Sequence, residues 1–231
     1  MKTLIVKEHI LKANARAAAE NRAEFSRRGI TVVNLIGSPG SGKTALLERL
    51  ARHPEVHFAA LEGDPETSLD AERIERAGAS VVQIVTKGTC HLDAGMVHRA
   101  LREMSLEGMQ FLFIENVGNL VCPGSFDLGE TARVVVFSTT EGEEKPLKYP
   151  GVFTSARAVV LNKIDLLPHV PFKLDRAVDT LAKVVPRTPV FPLSCVTGAG
   201  FDGFVEWLME LANRTAPHRE GTSASGVSAI S

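Results

Sequence analysis

Residues 30–44 read Ile-Thr-Val-Val-Asn-Leu-Ile-Gly-Ser-Pro-Gly-Ser-Gly-Lys-Thr, a β-branched apolar run that stops at a glycine-rich turn. Gly37, Ser38, Pro39, Gly40, Ser41, Gly42, Lys43 and Thr44 fit G-x-x-x-x-G-K-[ST]. In this arrangement the glycines let the backbone curl until successive N–H groups face phosphate oxygens. The helix that follows presents its positive end to the same oxygens. Lys43 is placed to reach the β- and γ-phosphates and the Thr44 hydroxyl to ligate Mg²⁺. The run predicts a strand over 30–36, and the residues after the turn a helix over 43–52.

Downstream, the same alternation repeats. Strands are expected at 56–62, 80–85, 111–116, 133–138, 157–162 and 189–194, with helices at 68–77, 93–107, 173–185 and 201–212. The runs are rich in β-branched and aromatic residues and lack polar alternation, which suits strands covered on both faces. Strands alternating with helices imply right-handed crossovers, hence an α/β, three-layer fold with a mostly parallel sheet and helices on both faces. In such sheets function collects at the carboxyl ends of the strands, where every motif here stands. Residues 1–29 read as an N-terminal helical arm ended by Gly29, with a thin stripe of Ile10, Ala13, Ala17 and Ala18. Docking, oligomer contact, fraying and packing on its own domain all remain open for it. Residues 30–214 read as one nucleotide-binding domain and 215–231, Ser/Gly/Ala-rich, as a disordered tail.

The nucleotide base is read elsewhere. Asn162-Lys163-Ile164-Asp165 follows an apolar strand and fits N-K-x-D. A carboxylate at Asp165 can accept two hydrogen bonds from the ring N–H and exocyclic amine of guanine, a pair adenine cannot supply. Asn162 is expected to brace the phosphate loop, the Lys163 stem to cover the base, and the backbone of Ser194-Cys195 to contact it. GTP is therefore expected over ATP. A small-molecule P-loop kinase would have no need of this element, and a plain metal-binding module no need of Lys43, Thr44 and Asp165. Asp64 and Glu115, at the ends of the second and fourth strands, are candidates for Mg²⁺ or the attacking water. The bland readings are a helix cap before Pro65 and a loop charge. Gly118 can swing its N–H towards a γ-phosphate. Asn119 rather than Gln follows it, which predicts slow hydrolysis by Lys43, Asp64, Glu115 and Gly118 alone.

Three cysteines among 231 residues, without an export signal or a membrane-spanning run, predict reduced thiols in a cytoplasmic protein. Cys90-His91 follows the third strand, and Cys122 lies just beyond Gly118. Two thiolates and an imidazole suit Zn²⁺ or Ni²⁺ and leave a position open, which a second copy across a two-fold axis could share. The spacing lacks CxxC regularity, so a core-filling Cys-His stays open at this stage. Cys195 belongs to the base loop; His9, His53, His57, His98, His169 and His218 are scattered. Lys plus Arg (26) balances Asp plus Glu (27), so nothing recommends nucleic acid or a membrane surface as partner.

The segments EGDPETSLDAERI (62–74), GTCHLDAGMV (88–97), FIENVGNLVCP (113–123), TTEGEEKPLKYP (139–150) and VVLNKIDLLP (159–168) resemble the hydrogenase nickel-incorporation GTPases, the HypB family. The likeness runs from about Ile30 to Leu211. It implies a P-loop NTPase of the signal-recognition-like/MinD-like class that forms a homodimer with GTP and cycles to GDP. It also implies Zn²⁺ or Ni²⁺ at Cys90, His91 and Cys122, and nickel delivery with a small nickel metallochaperone into the large subunit of [NiFe]-hydrogenase. Lys148 in KPLKYP is expected to touch nucleotide across that dimer. The related urease nickel GTPases carry Cys-Pro-His where this chain has Cys-His. The cysteine-rich or His-rich N-terminal stretches of many members are not seen here, which assigns the metal work to Cys90, His91 and Cys122. Pro65 and Glu66 depart from the family's second-strand loop.

Overall fold

The computed structural model describes residues 2–215, and the side chains from residue 9 onward. The tail expected from 215 lies, from residue 216, outside the described residues, as does His218. Seven strands form one parallel sheet: β1 Thr31–Ile36, β2 Phe58–Asp64, β3 Ser80–Val85, β4 Phe111–Glu115, β5 Ala132–Ser138, β6 Ala158–Asn162 and β7 Val190–Pro192. Their order is β3-β2-β4-β1-β5-β6-β7, with each neighbouring pair parallel. Each expected strand is present. All seven carboxyl ends share one edge, and the chain reverses direction across the sheet at central β1, which opens a crevice there.

The helices are α1 Lys2–Arg28, α2 Lys43–Ala51, α3 Leu69–Arg76, α4 Ala94–Ala100, α5 Lys145–Lys148, α6 Pro150–Thr154, α7 Leu174–Val184 and α8 Phe201–Thr215. Successive strand residues point to opposite faces, so β1 is buried throughout and serves two cores. Val33 and Leu35 pack with Leu46, Leu47 and Leu50 of α2 and Phe204 and Leu208 of α8. Val32 joins Phe25 of α1 and Val97 of α4 on the other face, where Ile36 packs with Phe153 of α6 and Leu181 of α7. The central strands β1, β4 and β6 are buried along their whole length, while edge strands β3 and β7 are half-covered.

Two local expectations change. The helix expected over 93–107 ends at Ala100. Met104 and Leu106 are both buried in the core beneath it, and residues two apart cannot face one side of a helix. In α1 the buried face is Asn14, Ala18, Asn21 and Phe25, with Ile10 and Ala13 exposed. Hydrophobicity alone points to the wrong stripe because half of the true one is amide. α1 lies against α4 and closes the core on that face.

Candidate functional site: a phosphate cleft joined to a thiol–imidazole cluster

The phosphate loop is built by its neighbours as much as by its own sequence. Gly42, the N-cap of α2, has φ of 97°, and a Cβ there would lie 2.2 Å from Nδ2 of Asn162. That amide instead donates to the Ser41 carbonyl at 3.1 Å. At Gly37 a Cβ would meet the Val136 carbonyl oxygen at 2.4 Å. Lys43 is buried, and its ammonium rests 3.4 Å from the Gly37 carbonyl, folded back into the loop. Ser41 Oγ is buried without a partner. Ser38 Oγ accepts a 2.8 Å hydrogen bond from Lys145 Nζ, which is also paired with Glu141.

Beside this loop opens a cleft of about 480 Å³ lined by Pro39, Lys43, Thr44, Glu62, Asp64, Glu115 and Gly118, among others. Thr44 Oγ1 donates to Oε1 of Glu115 at 2.8 Å. Oε2 of Glu115 and Oε2 of Glu62 are buried and unpartnered. The two glutamates stand opposite one another in the β2–β4 register. Burial is the main cause that pushes the Glu115 carboxyl up to about 7, against the downward pull of Lys43 and Thr44. Glu62 is pushed up to about 8, by burial first and then by the charges of Glu115, Asp64 and Asp70. Two orphaned carboxylate oxygens beside a threonine hydroxyl are the donor set of a hard divalent cation, so these residues fit Mg²⁺. Asp64 lines the cleft, but its Oδ1 is occupied by the N–H groups of Glu66 and Thr67, at 2.8 and 2.6 Å. These bonds form a local turn ahead of α3, whose N-cap is Ser68, so Asp64 does not cap that helix.

At the base end, Asp165 Oδ1 is buried and has no partner, as an acceptor awaiting a donor-bearing base would be. Oδ1 of Asn162 accepts from Lys163 N at 2.7 Å and Cys195 N at 3.3 Å, fixing both halves of the base loop. Lys163 takes φ of 65°, and its ammonium reaches the Gly40 carbonyl at 2.6 Å. Ser194 Oγ accepts from the N–H groups of Val196 and Thr197 at 3.2 and 3.0 Å. Burial pushes the Cys195 thiol up to about 12, so it stays a neutral packing group.

Cys90, His91 and Cys122 come together within this one chain. One ligand atom from each lies within 4.8 Å of the others, and Cys90 Sγ is 3.7 Å from His91 Nδ1. His91 stacks on Phe126 with ring centroids 3.9 Å apart. Burial lowers the pKa of His91, which favours the neutral imidazole that metals bind. The Cys122 thiol is held above its ordinary value by hydrogen bonding to Cys90, by burial and by the Cys90 charge. A cation in the cluster would reverse that last effect and favour thiolates. Two soft thiolates and one imidazole suit Zn²⁺ or Ni²⁺.

The cluster and the cleft share backbone. Asn119 pairs with Gly37 as an isolated antiparallel bridge. Its side-chain Oδ1 accepts from Val121 N at 2.7 Å and Cys122 N at 3.4 Å. A Cβ on Gly118 would stand 3.0–3.1 Å from Pro39 of the phosphate loop. On the other side, Leu92 N donates to Oδ1 of Asn116 at 3.1 Å, which ties the Cys90–His91 loop to the residue after Glu115.

Lys148 does not reach the cleft of its own chain; it sits in an exposed pair with Glu144. Four further residues stand at the cleft or the phosphate loop: Glu62, Asp70, Arg73 and Lys145. Glu62 could have been found from its place in Glu62-Gly-Asp64. Asp70 and Arg73 lie in the quoted 62–74 segment and line the cleft, with Arg73 bound by Glu48 at 2.7 and 3.1 Å and by Asp70 at 2.9 Å. Lys145 stands one turn from Lys148, and no local signal separates the two.

The sequence profile described as CobW/HypB/UreG, nucleotide-binding domain, matches residues 31–192. The chain is 47% identical over 213 residues to the hydrogenase maturation factor HypB of Rhizobium leguminosarum bv. viciae, covering 91% of this chain and 71% of that protein. Its structure is similar to that of HypB from Helicobacter pylori in complex with nickel, with a TM-score of 0.84 and 37% identity over 90% of this chain and 99% of that one. It also shares its fold, at a TM-score of 0.55 and 16% identity, with the signal recognition particle 54 kDa protein of Aeropyrum pernix, covering 80% of this chain and 49% of that one.

Proposed function

Since the chain belongs to the HypB members of the CobW/HypB/UreG nucleotide-binding family, we propose that it is a GTP-hydrolysing metallochaperone switch that assists nickel insertion into a [NiFe]-hydrogenase large subunit. The family makes it a nucleotide-hydrolysing P-loop protein. Guanine specificity is the finer reading, and the buried unpartnered oxygen of Asp165 supports it. Nickel is the cargo, held by Cys90, His91 and Cys122; Zn²⁺ suits the same donors. The working form is a GTP-bound homodimer that receives or passes nickel through a small metallochaperone, in the cytoplasm. Among the described residues no helix is long and apolar enough to cross a membrane. Residues 1–29 act as a helical element appended to the 30–214 nucleotide domain, with 215–231 as a tail, and Lys148 is assigned to the neighbouring copy's nucleotide.

The chain's own residues do the following. Backbone N–H groups of residues 40–44 and the N-terminus of α2 receive the phosphates. Lys43 leaves the Gly37 carbonyl to meet the charge. Thr44, Glu115 and Glu62 would hold Mg²⁺, which would supply neutralisation of the charge that develops on the phosphates. Asn119 stands where a water-orienting residue would be, but its Oδ1 is committed to Val121 and Cys122, which supports slow hydrolysis in the isolated protein. A γ-phosphate that draws on Gly118 pulls on the segment carrying Cys122.

The observation that carries this reading is the Gly37–Asn119–Cys122 connection, because it gives a phosphate sensor and a thiol ligand one backbone. Its test is a Ni²⁺ titration of the full chain with GDP and with a non-hydrolysable GTP analogue. The two affinities should differ by about 5–150-fold. Equal affinities would remove the coupling on which metal delivery depends.

A further inference from the structure

α1 buries two amide side chains, Asn14 and Asn21, where an amphipathic helix ordinarily places apolar ones. With Ala18 and Phe25 they occupy one face at successive spacings of four, three and four residues. The amides are fully used. The Ala94 N–H donates to Asn14 Oδ1 at 2.8 Å, while Asn14 Nδ2 donates to the Asp127 carbonyl at 2.8 Å. Nδ2 of Asn21 donates to the carbonyls of Ala94 at 2.9 Å and Leu128 at 3.0 Å, and its Oδ1 lies 3.1 Å from His98 Nδ1.

These partners are not arbitrary points on the surface. Ala94 closes the short arm that carries Cys90 and His91, and Asp127 and Leu128 close the arm that carries Cys122 and Phe126. Each arm is also tied to the sheet separately, through Leu92 N to Asn116 Oδ1 at 3.1 Å and through Arg133 to the carbonyls of Gly124 and Phe126 at 2.8 and 3.0 Å. α1 joins their far ends to each other. Arg22 adds two 2.9 Å contacts to Asp127, and a Cβ on Gly129 (φ 89°) would lie 2.6 Å from the Ala18 carbonyl oxygen, so arm and helix cross closely.

We propose that α1 is the positioning element of the metal cluster, with Asn14 and Asn21 fixing the separation of the two arms at which Cys90, His91 and Cys122 meet an ion. This rests on the metal reading above. Neither asparagine touches the ion. Each sets where the ligands stand, which removes ordering cost from the binding step. An apolar replacement would take these partners from the Ala94 N–H and from the carbonyls of Ala94, Leu128 and the half-buried Asp127.

The test uses the full chain with Ni²⁺ as probe, comparing wild type, Asn14→Ala, Asn21→Ala and Cys122→Ala, with circular dichroism and GDP binding measured on each. The asparagine variants should keep their fold and GDP affinity and bind Ni²⁺ more weakly, by up to about the 10–100-fold that loss of a group hydrogen-bonded directly to a metal ligand costs. Unchanged Ni²⁺ affinity in folded asparagine variants overturns the proposal. If wild type binds Ni²⁺ no better than Cys122→Ala, the metal reading itself falls and takes this with it. Should the variants unfold, hydrogen exchange on wild type decides. By reciprocity, Ni²⁺ must then slow exchange across residues 14–25, and unchanged exchange there overturns the proposal equally.

Discussion

Asn119 is bridged through its backbone to Gly37, the first residue of the phosphate loop, and through its side-chain oxygen to the N–H of Cys122. One residue thus stands between the phosphate loop and the thiol proposed above as a metal ligand. A loop with two such attachments cannot shift at one without disturbing the other, because packed segments move between discrete arrangements rather than stretch.

Removing the intermediary should uncouple the two sites. Asn119→Ala loses the side-chain tie to Val121 and Cys122 while leaving all three proposed metal ligands unchanged. The difference of about 5–150-fold in Ni²⁺ affinity between GTP-analogue and GDP forms should shrink towards one in this variant. Gly118→Ala, whose methyl would press on Pro39, should weaken GTP-analogue binding more than GDP binding. Parallel calorimetric titrations of both variants provide the check.

Base selection should depend on one carboxylate. Asp165→Ala removes an acceptor whose Oδ1 has no partner among the described residues, so its deletion orphans no donor there. GTP affinity should fall by about 1–3 kcal/mol with little change for ATP, the range a bidentate base contact carries. Competition between the two nucleotides for the same fluorescent analogue would reveal it. A variant that keeps full preference for GTP would reassign the base contact.

The paired glutamates give the ligand-free protein a pH dependence of definite sign. Glu115 and Glu62 have folded-state values near 7 and 8, above an ordinary carboxyl. At these two carboxyls the native state therefore holds more protons than the unfolded chain between about pH 4.5 and 8, so their contribution to stability falls as pH rises through that window. Glu62→Gln removes one of these charges and should raise the unfolding free energy at pH 8 more than at pH 5, by a difference on the order of 1–3 kcal/mol, and the melting temperature with it. Thermal melts across pH, without Mg²⁺ or nucleotide, test it; a variant equally shifted at both pH values would contradict it.

The metal cluster should fail ligand by ligand. Cys122→Ser replaces a soft thiolate with a weakly acidic hydroxyl. It should cost more Ni²⁺ affinity than the about 10–100-fold typical of outer partners, with GDP affinity preserved. Cys195→Ser should leave Ni²⁺ binding intact, since that thiol is buried in the base loop. Ni²⁺ binding lost in Cys195→Ser and kept in Cys122→Ser would invert the assignment.

What depends on neighbours along the chain can be read from the residues alone. The seven strands, the phosphate loop and the N-K-x-D element were legible because hydrophobic period, glycine spacing and turn chemistry act over a few residues. Tertiary structure alone decided which distant segments meet. It set Glu62 opposite Glu115 through the β2–β4 register, carried Cys122 to Cys90 and His91, and turned the Asn14–Asn21 face of α1 inward. A buried amide or carboxyl reads as an exposed one until its partner is known. That partner is supplied by sheet order and packing, which no local window of sequence contains.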